Sequence, residues 1–514
     1  MIAADCIIGI DIGSQSVRAI AFSPGGERLF SVSRPTPTVT LKDHEVDYDP
    51  DGIFDTVVTV LGELGRDLRG RPVCGIGVAS VGESCVVLGS DDRPVSRSIA
   101  WFDRRSTTQM KAIEPLLDAE AAFLITGTTI DPTLTLFKLA WLRDNMPLAY
   151  AKATTVLMLA DWIAFRLCGE KATDPTLASR TFYFDIHRRK WSDELLAMAG
   201  FDAKKLPQIL PSGTAIGFMK GDIQKQVGLI GQPVIGVGAQ DTLCGAFAVG
   251  LSAQNILLNS LGTAESVLRS IEFPLTDPQV KRDGYFQGAI GLDRPLAYIF
   301  GSIPSSGSAI EWLRRITGNV PHDLLNEEAL HVAPGSGGVV FLPVGANSAG
   351  KYLDPSAPGA FIGLTDTTTR GALYRAVLEG LAMQSRLSID GMIGLGGLKA
   401  PTEIRMVGGS TKSRLFMSIK ANIFGREILV FHEAEASALG AAICGGIAAG
   451  LWPNLQCALK EIRQSVQVVE PDQNTERYDY LRESVFAPLA DTIRPVSGAI
   501  IRANRASAFP VNSE

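Results

Sequence analysis

Several residue patterns that mark other classes of protein are missing from this sequence. Its 514 residues include only seven cysteines, with no paired spacing, and five histidines, with no metal-ligand spacing. A disulfide framework and a zinc site are therefore not expected, and scattered cysteines of this kind are typical of the reduced interior of a cytoplasmic protein. The net charge is −6 and there is no basic run, which argues against binding to nucleic acid or to anionic lipid.

Membrane and secretion signals are also missing. The first residues carry no basic segment ahead of an apolar one, so no targeting sequence is predicted. The best candidate for a membrane span, residues 436–452, is shorter than the roughly 20 apolar residues that a span requires. Its alanines and glycines predict instead a buried, tightly packed helix. A glycine-rich loop ending in Gly-Lys-Ser or Gly-Lys-Thr does not occur, which excludes a P-loop kinase.

The chain is long enough for two domains, because single hydrophobic cores stop growing beyond about 250–300 residues. We place the boundary near Leu251, which gives domains of residues 1–250 and 251–514. No low-complexity linker separates them, so we expect the two domains to share a substantial interface. Short β-branched runs alternate with helical patterns in both halves, and this predicts an α/β protein whose second half repeats the scheme of the first.

Hydrophobic spacing predicts the following elements. The strands are expected at 7–10, 17–22, 29–33, 73–79, 84–88, 234–237, 256–259, 267–269, 404–407 and 428–431. The helices are expected at 53–68, 134–146, 159–167, 308–316, 369–389, 413–424 and 436–449, with a further one beginning at Asp241.

Two similar turns open the two halves of the chain. In the first, an apolar run leads to Gly13-Ser14, and in the second an apolar run leads to Gly262-Thr263. Glycine in a tight hairpin lets backbone N–H groups approach an oligophosphate, and the neighbouring hydroxyl adds a donor. One such turn is weak evidence, but two at the start of two repeated halves predict that ATP is held between them.

With these turns, the chain resembles the FGGY family of carbohydrate kinases over nearly its whole length, from about residue 7 to residue 451. The resemblance implies an actin-like, ribonuclease H-like ATPase fold, in which two domains with mixed sheets and flanking helices close over a central cleft. It further implies a sugar or polyol substrate on the first domain, ATP and ADP mainly on the second, and Mg²⁺ as the metal. A homodimer is compatible with the resemblance.

The resemblance assigns residues to the nucleotide. Asp11 ends a strand and is expected to hold Mg²⁺ through water, since Mg²⁺ keeps waters and prefers oxygen ligands. An aspartate that only stabilises its turn is the alternative. The phosphate contacts and the adenosine site are expected at Gly13, Ser14, Gln15, Ser16, Arg18, Gly262, Thr263, Gly307, Glu311, Gly408, Gly409 and Ser413. The Gly408-Gly409 pair follows an apolar strand and precedes a helix, the context in which a nucleotide turn occurs.

Asp241 is the candidate catalytic residue. A β-branched strand leads to it and a helix follows, and the resemblance implies that this aspartate is the general base that accepts the proton of the attacking hydroxyl. The alternative is that Asp241 is only the N-cap of its helix. Thr242 stands next to the base and is a candidate substrate contact.

The remaining substrate contacts are expected in the first half. Glu83 occupies the position of a sugar-hydroxyl contact, whereas Gly82 stands where glycerol kinase has arginine and Thr133 where it has tyrosine. Trp101 and Asp103 match the Trp-x-Asp-x-Arg stretch of the family, with packing in the core as the alternative for Trp101. The lost side-chain volume at Gly82 and Thr133 predicts a pocket wider than glycerol needs.

The sequence thus favours an ATP-dependent kinase that phosphorylates a hydroxyl, primary by expectation, of a small sugar or polyol. A ketose such as xylulose or ribulose and a four- or five-carbon alditol both stay open as substrates. Two other classes also stay open. An actin-like ATPase would share the phosphate turns without needing the base at Asp241, and a catalytically inactive sugar-binding regulator would bind sugar without phosphorylating it.

Overall fold

The computed structural model describes residues 5–42, 45–251, 256–344, 358–432 and 435–506 of the chain. The first half builds a six-stranded mixed sheet. Its strands are β1 (Cys6–Ile12), β2 (Ser16–Phe22), β3 (Arg28–Pro35), β4 (Pro72–Ser80), β5 (Ala215–Phe218) and β6 (Ile230–Gln240). They lie in the order β5-β6-β4-β1-β2-β3. The hairpin β1-β2-β3 is antiparallel, whereas β4 runs parallel to β1 and β6 runs parallel to β4.

The second half builds a seven-stranded sheet on the same plan. Its strands are β7 (Ile256–Leu261), β8 (Glu265–Ile271), β9 (Phe286–Gly291), β10 (Pro295–Ile303), β11 (Glu403–Val407), β12 (Ile428–Phe431) and β13 (Val466–Val469). They lie in the order β9-β10-β8-β7-β11-β12-β13. Again an antiparallel hairpin, β7-β8, is followed on its other side by two parallel neighbours, β11 and β12. The repeated scheme predicted from the sequence is confirmed.

Nineteen α-helices lie within the described residues. They are α1 (Pro50–Leu68), α2 (Thr107–Ile113), α3 (Ala119–Thr126), α4 (Thr135–Asn145), α5 (Pro147–Tyr150), α6 (Leu159–Cys168), α7 (Pro175–Ala178), α8 (Asp193–Ala199), α9 (Gly221–Val227), α10 (Asp241–Ala248), α11 (Gln279–Arg282), α12 (Gly307–Ile316), α13 (His322–Leu330), α14 (Arg370–Met392), α15 (Arg414–Phe424), α16 (Ala436–Ala448), α17 (Leu455–Glu461), α18 (Thr475–Leu481) and α19 (Ala487–Ala506). None of them is both long and apolar enough to cross a bilayer.

Every predicted helix and strand is present, with shifted ends. The strand predicted at 84–88 is observed at Cys85–Leu88, outside the first sheet. It pairs with Thr155–Met158, a strand that was not predicted from the sequence. Smaller ladders join the remaining short strands. These are Thr38–Thr40 with Val46–Tyr48 and Ser98–Ile99, Ala172–Thr173 with Gln208–Ile209, Phe184–Asp185 with Lys190–Trp191, and Val340–Leu342 with Ala360–Ile362.

Two helices, α10 and α16, form a layer between the two large sheets. One buried cluster contains side chains from the first sheet, the second sheet and both helices, such as Ile7, Leu258, Phe247 and Ile443. The α10 helix comes from the first half of the chain and α16 from the second, so the halves share their interior. The central residues 438–446 of this predicted tightly packed helix are buried, whereas its ends are partly exposed.

Glycines set the distance between α16 and its neighbours. A Cβ added at Gly9 of β1 would lie 1.8 Å from the Ala438 carbonyl oxygen, and one at Gly77 of β4 would lie 2.0 Å from that of Ala441. On the helix, a Cβ at Gly440 would lie 1.8 Å from the Cys244 carbonyl oxygen of α10. Real Cβ atoms do not approach backbone this closely, so only glycine permits the helix to lie directly on the first sheet.

A fully buried ion pair supports the turn that follows β7. Lys420 Nζ lies 2.8 Å from Glu265 Oε1 and also donates to Asn259 Oδ1 at 3.1 Å and to Ser385 Oγ at 2.6 Å. Neither charged side chain is exposed. Burial lowers the pKa of Lys420, and the charge of Glu265 opposes that shift. The pair therefore joins β7, β8, α14 and α15 directly below the second phosphate turn.

We expect Lys420→Met to lower the free energy of unfolding by about 3–5 kcal/mol, since it leaves the Glu265 charge buried without its partner. Urea denaturation followed by circular dichroism measures the change. The control is Lys460→Met at an exposed position, which should stay close to wild type. Equal stability of the two variants would show that the buried pair contributes nothing.

Candidate active site

The end of β6 delivers Asp241 to the start of α10. The N-cap of this helix is Gln240, whose side chain accepts a hydrogen bond from the Leu243 amide at 3.2 Å. Asp241 is the first residue of the helix itself and lies partly exposed. The alternative that Asp241 serves only as the N-cap is therefore wrong, because the neighbouring glutamine has that role.

The two oxygens of Asp241 differ in their surroundings. All the hydrogen bonds described for this carboxylate go to Oδ1, from the Thr242 amide at 2.5 Å, Gln240 Nε2 at 2.5 Å and Thr242 Oγ1 at 3.1 Å. Burial raises the pKa of Asp241 to about 6, opposed mainly by the bonds from Thr242. A carboxylate with one oxygen fixed and a raised pKa is suited to accept a proton near neutral pH.

Asp11 lies on β1, close enough to Asp241 for their charges to interact. The pKa of Asp11 is raised to about 7, mainly by burial and then by the charge of Asp241, while Arg18 opposes the shift. A divalent cation would offset this accumulation of negative charge, so the residue fits the predicted Mg²⁺ position. Within the described ranges no three metal-ligating side chains come together.

The first phosphate turn is fixed by local hydrogen bonds. The Gly13 amide donates to the Ser16 carbonyl at 3.0 Å. Thr36, the residue after β3, makes two hydrogen bonds to the turn. Its Oγ1 donates to the Gly13 carbonyl at 2.7 Å and its amide donates to the Gln15 carbonyl at 3.0 Å. The turn is therefore rigid before any phosphate arrives.

Arg18, predicted to contact the phosphates, has a protein partner in this structure. Its Nη1 lies 2.8 Å from Glu435 Oε2, and its Nε donates to Ser16 Oγ at 3.1 Å. Glu435 immediately precedes α16. The pair joins the first phosphate turn to the helix that lies between the sheets, and the guanidinium is still 39% exposed.

The second phosphate turn is exposed and anchors a helix. The Gly307 amide donates to the Gly262 carbonyl at 3.1 Å, and the Ser308 amide donates to the Thr263 carbonyl at 3.0 Å. A Cβ added at Gly307 would lie 2.7 Å from the Gly262 oxygen. Gly307 is therefore required for α12 to begin against the turn.

A cavity of about 590 Å³ adjoins this turn. Its lining includes five predicted nucleotide residues besides Gly307, namely Gly262, Thr263, Glu311, Gly409 and Ser413. Gly408 has φ +103°, and a Cβ there would lie 2.4 Å from the Leu261 oxygen, so β11 can turn beside β7 only with glycine at this position. Ser413 caps α15 and donates to Asn326 Oδ1 at 2.6 Å. Asn326, which the sequence did not single out, also lines the cavity.

On the substrate side, Glu83 is paired with a residue that the sequence did not single out. Arg180 Nε donates to Glu83 Oε1 at 2.6 Å, and the Arg180 guanidinium lies over the Phe286 ring of the second sheet at 4.8 Å. The charges of Glu83 and Arg180 both influence the pKa of Asp241, so the three groups belong to one site. No local motif marks Arg180, because it is almost a hundred residues from Glu83 in the chain.

The interpretation of Gly82 as empty space is wrong. A Cβ added at Gly82 would lie 2.9 Å from Cγ of Arg180 and 3.2 Å from its Cβ. The side chain of Arg180 therefore occupies the volume that the missing side chain at position 82 would need. The expectation of a wide pocket now depends on Thr133, whose amide and hydroxyl both donate to Asp131 Oδ1, at 2.9 and 2.6 Å.

Trp101 lies at the surface of the cleft and not in the core. Its side chain is 39% exposed, and its Nε1 donates to Ser14 Oγ at 2.7 Å. An exposed indole that is held by a hydrogen bond presents an apolar surface in a fixed orientation. Through Ser14 it also connects the substrate segment to the first phosphate turn.

Asp103 does not have the predicted substrate role. Its oxygens accept from the Arg105 amide at 2.8 Å, from Arg105 Nε at 3.0 Å and Nη2 at 2.7 Å, and from the Val46 amide at 2.7 Å. These four bonds fill the acceptor positions of a carboxylate. Burial would raise the pKa of Asp103, but the hydrogen bonds from Arg105 and Val46 hold it below its usual value. Its role is to fix the loop after Trp101.

Family models match most of the chain. Residues 6–248 match the N-terminal domain of the FGGY family of carbohydrate kinases, and residues 257–449 match its C-terminal domain. The chain belongs to the FGGY family of carbohydrate kinases. It is an ATP-dependent kinase of sugars or polyols, with ATP as phosphoryl donor and Mg²⁺ as its metal, and the family resemblance seen in the sequence is confirmed.

Three known proteins illustrate the similarity. A glycerol kinase of Pseudothermotoga lettingae is 28% identical over 498 residues, which covers 94% of this chain and 98% of the relative. An L-fuculokinase of Escherichia coli K12 is 27% identical and covers 92% of this chain and 98% of the relative. The crystal structure of a ligand-bound xylulose kinase from Lactobacillus acidophilus is 24% identical, with a TM-score of 0.87 over 96% of this chain and 100% of that structure. This likeness confirms the actin-like fold of the FGGY kinase.

We expect Asp241→Asn to lower kcat by about 10²–10⁴-fold, the usual range for loss of a general base, with little change in the affinity for ATP. In the wild-type kinase the rate should also fall as the pH drops below about 6, since the base is then protonated. Steady-state kinetics and nucleotide titration measure these effects. The control, Asp222→Asn at an exposed position of α9, should be indistinguishable from wild type. Near-normal turnover in Asp241→Asn would assign this residue a structural role alone.

We expect Gly262→Val to weaken ATP binding and to slow phosphoryl transfer, while sugar binding without ATP persists. A Cβ at this position would lie 3.3 Å from the Ala264 oxygen, so the turn would have to shift by a few tenths of an ångström, and the branched side chain would keep phosphate from the backbone. Thr263→Val should act in the same direction by removing a hydroxyl donor. Separate calorimetric titrations with nucleotide and sugar test this, with Gly221→Val, at a site open around its Cβ, as the control. Equal loss of both affinities would contradict the assignment.

Proposed function

We propose that this FGGY kinase transfers the γ-phosphoryl group of ATP to a primary hydroxyl of a sugar or polyol of about four to six carbons, a size estimated from the volume of a close-packed site. Asp241 is the general base. The observation that carries the proposal is that Glu83 and Arg180, hydrogen-bonded to each other, lie close enough to Asp241 at the end of β6 for their charges to act on it. A proton acceptor and a paired carboxylate that can accept from hydroxyl groups suit a polyhydroxylated substrate.

In the proposed reaction, Glu83 accepts a hydrogen bond from a substrate hydroxyl while Trp101 lies against the carbon skeleton. Oδ2 of Asp241 takes the proton of the attacking hydroxyl. The substrate oxygen forms the new bond to the γ-phosphorus, the bond from that phosphorus to the bridging oxygen breaks, and ADP leaves with the electron pair. Mg²⁺, when bound near Asp11, offsets the charge of the phosphates. Closure of the two domains would exclude water, so that transfer to water is suppressed.

The division of labour between the domains is part of the same proposal. Glu83, Trp101 and Asp241 belong to residues 1–250, and we assign the sugar to this domain. The 590 Å³ cavity is lined by residues of the second half alone, and we assign the nucleoside to residues 251–514. The first phosphate turn then contributes Ser14, Ser16 and Arg18 to the phosphates from the opposite side.

The relatives act on different substrates by name, glycerol, L-fuculose and xylulose among them, so the choice of substrate must come from this chain. Thr133 is too short to fill the volume of the tyrosine that glycerol kinase has at this position. We therefore infer a substrate longer than glycerol.

A panel of glycerol, erythritol, D-xylulose, D-ribulose, L-fuculose and D-gluconate, assayed for ADP formation, tests the proposed substrate class. We expect a higher kcat/KM for at least one longer compound than for glycerol. Glu83→Ala should then lower kcat/KM for that compound by an amount equivalent to about 1–3 kcal/mol, because a buried hydroxyl loses its acceptor. Glu194→Ala, at an exposed position of α8, is the control.

Each other outcome of the panel has a distinct meaning. If glycerol is the best substrate, the inference of a longer substrate from Thr133 is wrong, but the assignment as a kinase is unaffected. ATP hydrolysis that ignores every sugar would favour an actin-like ATPase of another class. Sugar binding by calorimetry without any phosphorylation would indicate an inactive regulator.

A further inference from the structure

Lys138 is a buried cation whose hydrogen bonds, among the residues that the structure describes, all go to backbone carbonyl oxygens. It lies on α4 and is 2% exposed. Its Nζ donates to three backbone carbonyl oxygens, those of Ala100 at 2.9 Å, Glu83 at 3.2 Å and Trp101 at 3.3 Å. An ammonium has three N–H donors, so this set of acceptors matches its capacity.

The three carbonyls belong to two separate segments of the substrate wall. Glu83 follows β4, whereas Ala100 and Trp101 follow the strand Ser98–Ile99. These segments supply the two side chains that we assign to the sugar, the carboxylate of Glu83 and the indole of Trp101. The Lys138 side chain is hydrogen-bonded to the backbone of both segments.

The backbone at Glu83 requires such support. Its φ is +55°, a left-handed conformation that residues other than glycine adopt at an energetic cost. Besides Lys138, Thr135 Oγ1 donates to the Glu83 carbonyl at 3.1 Å. Two donors from the first turns of α4 therefore hold this peptide in an orientation that it would not prefer by itself.

We propose that Lys138 is a positioning residue for the sugar, whose ammonium group holds the backbones of Glu83 and Trp101 in the one relative arrangement that fits the substrate. The inference rests on the proposed assignment of these two side chains to the sugar. Lys138 contacts the backbone of these segments and not the sugar itself. Its loss should therefore change the affinity for sugar and leave the nucleotide site intact.

The arrangement has a consequence at alkaline pH. Burial lowers the pKa of Lys138 to about 8, and the charges of Glu83, Cys85 and Asp103 oppose the shift while Arg105 adds to it. Asp47 and Glu45 face the same cavity as the lysine. Burial raises the pKa of the adjacent Cys85 thiol to about 11, which separates its titration from that of the amine. Above about pH 8 the neutral amine has two N–H groups for three carbonyls, so one contact is lost.

The effect on stability has the opposite sign, and this makes the proposal testable. The pKa of Lys138 is lower in the folded protein than in the unfolded chain, so between about pH 8 and its ordinary value of 10.5 the unfolded chain binds more protons. This group therefore makes the folded state relatively more stable as the pH rises through that interval. A loss of sugar affinity above pH 8 that came from unfolding would not fit this direction.

The experiment compares Lys138→Arg, Lys138→Met and the control Lys111→Met, at an exposed position of α2. A cavity of about 310 Å³, lined by Lys138, Cys85 and Trp141 among others, offers room for the larger guanidinium. Two measurements are made on the full-length protein. Hydrogen exchange followed by mass spectrometry monitors residues 80–88 and 98–106 without any sugar, and kinetics from pH 6.5 to 9.5 use the panel compound with the highest kcat/KM.

We expect Lys138→Met to increase exchange in both peptides and to raise KM for the sugar by about tenfold to a hundredfold, the size expected for loss of hydrogen bonds from a charged group, with an unchanged Kd for ATP. KM of the wild-type kinase should rise above about pH 8. Lys138→Arg, whose side chain stays protonated throughout, should keep low exchange and lack the alkaline rise. Lys111→Met should match wild type in each measurement.

The proposal is overturned if Lys138→Met leaves exchange unchanged in the two peptides, or if KM for sugar and Kd for ATP change by equal factors. It is also overturned if Lys138→Arg retains the alkaline rise in KM. Failure of the proposed substrate class is a separate result, seen as the absence of ADP formation with every panel compound. In that case the exchange data on the two peptides still decide whether Lys138 holds the two segments together.

Discussion

The direct contact between α16 and the first sheet is the constraint on which the active site depends. Because Gly9 and Gly77 carry no side chain, the backbone of the helix lies on the backbone of the sheet. Gly440 allows the same approach to α10. Asp241 at the start of α10 lies close enough to Asp11 for their charges to interact, and Glu435 just before α16 pairs with Arg18, so both lie beside the first turn. A larger side chain at any of these glycines would force α16 away from the first sheet or from α10, and so would shift Asp241 relative to the first turn.

Each of the two glycine turns is supported by an ion pair of its own. Arg18 follows the first turn and pairs with Glu435, whereas the second turn rests on the buried pair of Glu265 and Lys420 and on the start of α12. The first pair is partly exposed and the second is not. The Arg18 side chain is therefore accessible from solvent, whereas Lys420 is fully enclosed. If phosphate binds at Arg18 as proposed, it would compete with Glu435 for the guanidinium, while the Lys420 contact would stay part of the fixed frame.

The sequence predicted the parts of this molecule that depend on local pattern. Strand and helix periodicity identified the repeated halves, and the short motifs around Gly13, Gly262 and Asp241 placed the two turns and this aspartate correctly at strand ends and at a helix start. It missed what depends on distant partners. Arg180 fills the volume beside Gly82 although nothing near it in sequence points there, and Arg105 withdraws Asp103 from the cleft. Whether the space beside a glycine is filled, and whether the charge of a carboxylate is paired, depends on residues that are distant in the sequence. Neither can be predicted from the residue at one position alone.

The carboxylates of the first domain fall into two groups by the way their charge is compensated. Asp103 receives a guanidinium and two backbone amides, and its pKa is held low. Asp11 and Asp241 are partly exposed and lie near each other with less compensation of their charge, and desolvation raises the pKa of both. Among the described contacts, Asp103 has a guanidinium bonded to both of its oxygens, and neither Asp11 nor Asp241 has such a partner. A metal ion at Asp11 and a substrate proton at Asp241 would supply the missing positive charge. The pKa shifts therefore distinguish the carboxylate that stabilises a loop, Asp103, from the two that we propose to act on reactants.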